Sequence, residues 1–221
     1  CSSQNYFGLP PGFNSSVRCL YFDSTGNQLY VGGNFWELAD GTIMKGIAKW
    51  DGMGWDSLNG GISGSVGAIE KFNNEFYVGG NFQYIGGLLS RALAKWDGNS
   101  WNSVGNLKGD LINPPTVWHL NVINNNLYVL GTYDSVDNQF AGGISKFDGQ
   151  NWFVFPILDA TGYFNACTFY NGEFYVGGNF DGGPGLKDIA KFDGTNWVPV
   201  GTGLSGSASS VEDMLIFQNK L

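Results

Sequence analysis

Tyr77-Val78-Gly79-Gly80-Asn81-Phe82 is one of three copies of a single hexapeptide in this chain; the others are Tyr30–Phe35 and Tyr175–Phe180. A fourth, altered copy reads Tyr128-Val129-Leu130-Gly131-Thr132-Tyr133. Each is followed by Lys-Trp/Phe-Asp-Gly-x-x-Trp, at Lys49–Trp55, Lys95–Trp101, Lys146–Trp152 and Lys191–Trp197. The Tyr-Val starts lie 47, 51 and 47 residues apart. A period in this range marks a repeat architecture. Residues that recur in every copy build the unit, so function is to be sought where the copies differ.

One unit, Ser65 to Asn106, reads as four strands. Val66–Phe72 is strand A, Glu75–Phe82 strand B, Ala92–Trp96 strand C and Trp101–Val104 strand D, with Gln83–Arg91 as a loop. Asn73-Asn74 and Asp97-Gly98 are the hairpin turns, because Gly accepts positive φ and Asn or Asp tolerates it. Trp96 and Trp101 flank the second turn and should meet across the hairpin, as should Trp50 and Trp55. The strands are almost continuously apolar, which predicts burial on both faces. A small sheet buried on both faces must stack between copies of itself, and four-stranded units of this length do so radially.

The expected fold is therefore all-β: a β-propeller of four-stranded antiparallel blades, four complete and one or two partial, forming one domain over 1–221. Residues 1–15 align with the strand D that follows the last Asp-Gly turn. Blades follow at 16–64, 65–116, 117–163 and 164–209. Residues 210–221 match the start of a fifth, so the natural chain is expected to continue.

The unit Leu-Tyr-Val-Gly-Gly, an apolar strand, then Asp-Gly-x-x-Trp resembles the Kelch repeat of galactose-oxidase-like propellers. The variant Ile47–Trp55, nearly repeated at Leu93–Trp101, looks more like propellers in large bacterial surface proteins, many of them exported by the type IX system of gliding bacteria. The resemblance covers nearly the whole chain. It implies the propeller fold and a secreted or cell-surface location on the bacterial outer-membrane exterior. It implies little about activity, since propellers host unrelated functions.

Composition narrows the function classes. Charged residues are 14%, aromatics 16%, and 35 of 221 residues are Gly, which supplies core and turns rather than disorder. Net charge is −8 and the only arginines are Arg18 and Arg91, which disfavours nucleic acid as a partner. No run of about 18 apolar residues offers a transmembrane segment. No basic-then-apolar signal peptide is present; either none existed or it has been removed.

Cys19 and Cys167 read as small buried hydrophobes. Cys1 fits a lipid anchor at a mature N-terminus, a partner of a cysteine elsewhere, or a free thiol, but no bridge to Cys19. The two are placed at opposite ends of a strand about 17–20 Å long, beyond the reach of a disulfide.

Catalytic constellations are sparse. His119 is the single histidine. A galactose-oxidase-like copper site needs two histidines, so it cannot be assembled here, and His119 in an apolar strand reads as a packed residue. Asp51, Asp97, Asp148 and Asp193 recur at every Asp-Gly turn and read as structural. Non-recurring acids for glycoside hydrolysis lie scattered over loops. No cofactor is expected. Asp134-Ser135-Val136-Asp137-Asn138 offers oxygens to calcium but lacks EF-hand spacing, and a solvated acidic loop is the plainer reading. The double glycines have no following helix to hold a phosphate. They read as sites of a bulge or of close backbone approach.

The expected binding face is formed by the B–C loops and D–A connections, which vary while the opposite turns are short and uniform. Its candidate residues are Trp36, Glu37, Tyr84, Asp134, Asp137, Phe140 and Asp181, with Gly105–Thr116 as the longest D–A connection. The expected function is non-catalytic binding of a protein or glycan; the alternative is a carbohydrate-active propeller, lectin or hydrolase.

Overall fold

The computed structural model describes residues 11–109, 113–159, 161–204, 209–218 and 220–221. Among them the chain is all-β, with no helix. Unit one is an antiparallel sheet of β1 (Val17–Asp23), β2 (Gln28–Gly33), β3 (Ile47–Trp50) and β4 (Trp55–Asp56), in that order. Unit two comprises β5 (Ile62–Phe72), β6 (Glu75–Ile85), β7 (Leu88–Leu89), β8 (Leu93–Trp96) and β9 (Trp101–Ser103); the path is β5-β6-β8-β9, with β7 folded back on β6. After β10 (Leu107–Lys108), unit three contains β11 (Thr116–Ile123), β12 (Asn126–Thr132), β13 (Ser135–Val136), β14 (Gln139–Phe140), β15 (Ile144–Phe147) and β16 (Trp152–Val154). Its sheet runs β11-β12-β15-β16, while β10, β13 and β14 form a small sheet beside it. Unit four is β17 (Tyr163–Tyr170), β18 (Glu173–Asp181), β19 (Lys187–Phe192) and β20 (Trp197–Pro199).

The second strand of each unit is the core. Tyr77 and Val78 of β6, Val129 and Leu130 of β12, and Val176 of β18 are all buried. One apolar cluster joins units one and two through Tyr30, Val66 and Val78. A second joins units two and three through Tyr77, Val117 and Phe147, and a third joins units three and four through Leu130, Phe164 and Val176. Successive sheets therefore pack face to face in chain order.

The double glycine makes this stacking possible in two ways. The first glycine is a notch for the neighbouring sheet: a Cβ on Gly32 would lie 2.5 Å from Val66, one on Gly79 would run into Val117, and one on Gly177 would lie 2.5 Å from Val211. The second glycine faces its own first strand. A Cβ on Gly33, Gly80, Gly131 or Gly178 would strike the carbonyl of Ser16, Ser65, Thr116 or Tyr163. At that level each first strand carries a bulge, with Arg18, Gly67, Trp118 and Asn165 left out of register.

The Asp-Gly turns are built alike. Oδ1 of Asp51, Asp97, Asp148 and Asp193 each accepts two backbone N–H bonds, for Asp97 from Asn99 and Ser100 at 2.9 and 2.8 Å. The following Gly sits at φ between 97° and 104°. Across the turn, Trp50–Trp55, Trp96–Trp101, Phe147–Trp152 and Phe192–Trp197 stand directly opposite with ring centroids 4.8–5.3 Å apart. Trp101 Nε1 donates to the Leu58 carbonyl and Trp197 Nε1 to the Pro156 carbonyl, both at 2.7 Å, so these rings tie a unit to the connection before it.

Two details differ from the sequence reading. The first A–B turn is not like the others: it spans 24–27, pinned by Asp23 accepting from Thr25, whereas units two to four use two-residue turns. And 83–91 is not a plain loop, because β6 runs on to Ile85 and pairs with β7 across Gly86-Gly87 at φ 54° and 82°. The strand D expected over 1–15 falls largely outside the described residues.

Candidate binding face

Three of the four B–C connections fold as short hairpins. Glu37 pairs with Ile43, Tyr84 with Leu89, and Ser135 with Phe140. The preceding D–A connection zips onto each: Phe13 pairs with Leu38, Ile62 with Ile85, and Leu107 with Val136. Leu38, Ile85 and Val136 are buried by this pairing. In unit four a carboxylate does the same work, Asp159 Oδ2 accepting from Asp181 N at 2.9 Å. The B–C and D–A segments thus lie together, and their backbones are held by ladder bonds.

The candidate residues divide between exposed tips and structural ties. Trp36 is 53% exposed, Tyr84 48% and Phe140 61%. Lys45 Nζ lies 5.1 Å from the centre of the Trp36 ring. Asn14 Oδ1 accepts from the Trp36 and Glu37 backbones, fixing that loop. Asp137 stands in the hairpin turn at φ 46° and accepts from Asn106 N at 2.8 Å. Asp181 accepts from Gly183 N. Asp134 N donates to the Lys108 carbonyl, and its own carbonyl accepts from Ala141 and Gly142. The Asp137 and Asp181 carboxylates thus face backbone N–H donors, and Asn138 Oδ1 accepts from Lys108 Nζ at 2.8 Å.

Sequence reasoning missed two members of the exposed set. Ile43 and Leu89, 46% and 52% exposed, occupy the hairpin position of Phe140. For Leu89 the signal was the turn pair Gly86-Gly87, which marks a hairpin and hence the facing residues.

The remaining chemical groups are quiet. His119 Nε2 is buried without a hydrogen-bond partner, and burial holds its pKa below the ordinary value. Cys19 and Cys167 are free, and burial pushes the Cys19 thiol up to about 12; Cys1 lies outside the described residues. Among the described residues no three His, Cys, Asp or Glu side chains gather as a cation site, and no helix is long and apolar enough to cross a membrane.

No protein-family model matches the chain, and comparison with curated proteins returns no match. Among solved structures, 63 chains match. One, described as "YCF48 bound to D1 peptide", aligns over 86% of this chain and 53% of that one, with 14% identity and a TM-score of 0.44. The chain thus spans about half the length of that structure.

Proposed function

We propose that the four stacked sheets are blades of a Kelch-like β-propeller that binds a protein or glycan on its B–C/D–A face and is not itself catalytic. The observation that supports this most is the set of exposed apolar side chains, Ile43, Leu89 and Phe140, at one corresponding position of three successive hairpins. Trp36 and Tyr84 stand beside them. Large apolar groups held out to solvent on a hydrogen-bonded scaffold are what an interface anchor requires. The sequence resemblance adds a bacterial surface setting, with adhesion as the role.

The test is a triple variant, Trp36→Ala/Tyr84→Ala/Phe140→Ala, screened beside the parent on a glycan array and a panel of surface proteins. Retention should fall by at least about tenfold while the melting temperature stays at the parent value. Hydrolysis of a retained glycan that is lost in Asp134→Asn would replace this reading with the carbohydrate-active one. A complex whose contacts lie only on the Asp-Gly turns would overturn the choice of face.

A further inference from the structure

The four units can be aligned by a hydrogen bond rather than by loop length. The second glycine of the pair donates to a carbonyl just ahead of the third strand: Gly33 to Gly46, Gly80 to Ala92 and Gly131 to Gly143, at 2.9–3.0 Å. Asp188 holds that place in unit four, one residue before Ile189, which pairs with Gly177. The residue before this position is Lys45, Arg91 and Lys187 in units one, two and four, but Gly142 in unit three. The residue it faces, just after the repeated Asn-Phe or its Thr-Tyr equivalent, is Trp36, Gln83, Asp181 and, in unit three, Asp134. In unit one the cation lies over its partner, Lys45 Nζ on the Trp36 ring. In units two and four the two residues line one cavity, Arg91 with Gln83 and Lys187 with Asp181.

Unit three has lost the cation but has, like unit four, a carboxylate at the facing position. Gly142 and Asp134 line a cavity of about 230 Å³ with Thr132, Thr161 and Tyr163, and none of its described lining residues is basic. Among the described residues the Asp134 carboxylate has no hydrogen-bond or ion-pair partner, while Lys108 Nζ is engaged by Asn138. Tyr163, 52% exposed, offers its ring at the rim, and Ile157 lies 2.6 Å from where a Gly142 side chain would begin.

We infer that this niche is a binding site for a lysine or arginine side chain of a partner protein, which takes the place held in the other units by the repeat's own cation. The inference rests on the proposed binding face and makes its ligand a protein. The alkyl stem would lie along Ile157, the cationic head would meet Asp134, and Tyr163 would add a cation–π contact. One carboxylate with hydroxyls and an aromatic ring suits an organic cation better than a divalent metal, which needs several oxygen ligands.

The test titrates the protein with the methylamides of N-acetyl-lysine, N-acetyl-arginine and N-acetyl-norleucine, followed by amide NMR. The two basic probes should give saturable shifts at Asp134, Gly142 and Gly143, and the norleucine probe none. Asp134→Asn should weaken the basic probes by about tenfold, the loss of one charge-assisted hydrogen bond. Gly142→Lys should abolish them once Ile157 Cδ1, 2.6 Å from the new Cβ, turns aside, because its own ammonium then fills the niche; Lys45 shows that lysine accepts the positive φ there. Asp134→Asn changes no volume and serves if Gly142→Lys folds poorly. Equal binding in Asp134→Asn, or equal shifts with norleucine, overturns the inference. A partner lost on changing Trp36, Tyr84 and Phe140 but indifferent to Asp134→Asn overturns it too, while leaving the binding face intact.

Discussion

Tyr133 shows how a single departure from the repeat is absorbed. Units one, two and four place a buried Phe here, Phe35, Phe82 and Phe180, over a buried Ala, Ala48, Ala94 and Ala190. Unit three has Tyr133 and Ser145 at the same two places. The tyrosine hydroxyl donates to the Val129 carbonyl at 2.8 Å and lies 2.7 Å from Ser145 Oγ. Burial holds its pKa well above the ordinary phenol value. A hydroxyl added to a buried ring needs a partner, and the second change supplies one. Each single reversion, Tyr133→Phe or Ser145→Ala, is therefore expected to cost about 1–2 kcal/mol. The double reversion restores the pair found elsewhere in the chain and should cost less than the sum by about 1 kcal/mol. Urea unfolding of the four proteins measures this, and strict additivity would mean the two hydroxyls are not coupled. Both departures were visible in the sequence. Their contact was not, because strands two and three must be in register before residues 133 and 145 can be seen to face each other.

At the scale of elements, what the sequence announced most clearly was punctuation. Asx-Gly and Asn-Asn pairs located the turns, and the double glycines were correctly read as a bulge or close approach. The B–C hairpins were less legible, since their length varies and the flanking glycines read equally well as loop. The recurring cation at Lys45, Arg91 and Lys187 was hidden for the same reason: it aligns only when counted back from the third strand. The Asp-Gly turn makes a prediction of its own. Backbone N–H donors hold the carboxyls of Asp51, Asp97, Asp148 and Asp193 below the ordinary carboxylate range, Asp97 at about 2. A carboxyl whose pKa is lower folded than unfolded contributes stability above the unfolded value and loses it as pH falls through the folded one. For Asp97 that window runs from the ordinary 3.8 down to about 2. Thermal melts should decline across this range, and Asp97→Asn should flatten its part of the decline. A melting temperature that holds level down to pH about 2 would show that the turns do not sense protonation.

At the scale of the molecule, stability is shared between neighbouring sheets, so the cost of a substitution should depend on which unit carries it. The knob-and-notch contact is the place to test this. Val117 is fully buried against the notch at Gly79. Val17 has the same position on the first strand of unit one, opposite the second glycine, yet it is 44% exposed, as are Leu20 and Phe22 on the same strand at 63% and 58%. Val117→Ala removes two buried methyl groups facing a glycine that cannot fill the space, and about 2 kcal/mol of stability should be lost. Val17→Ala removes the same atoms from a surface already open to water and should cost less than about 0.5 kcal/mol. Denaturant unfolding of the two variants, at several protein concentrations, reads the difference. If Val17→Ala is as costly as Val117→Ala, the outer face of unit one is covered in solution. A concentration-dependent cost would identify the cover as a second molecule, and an independent one as another part of the same chain. The repeat itself supplies the reason such a cover would fit: the valine knob that seats in Gly32, Gly79 and Gly177 along the stack is presented once more at Val17, and among the described residues no notch lies against it.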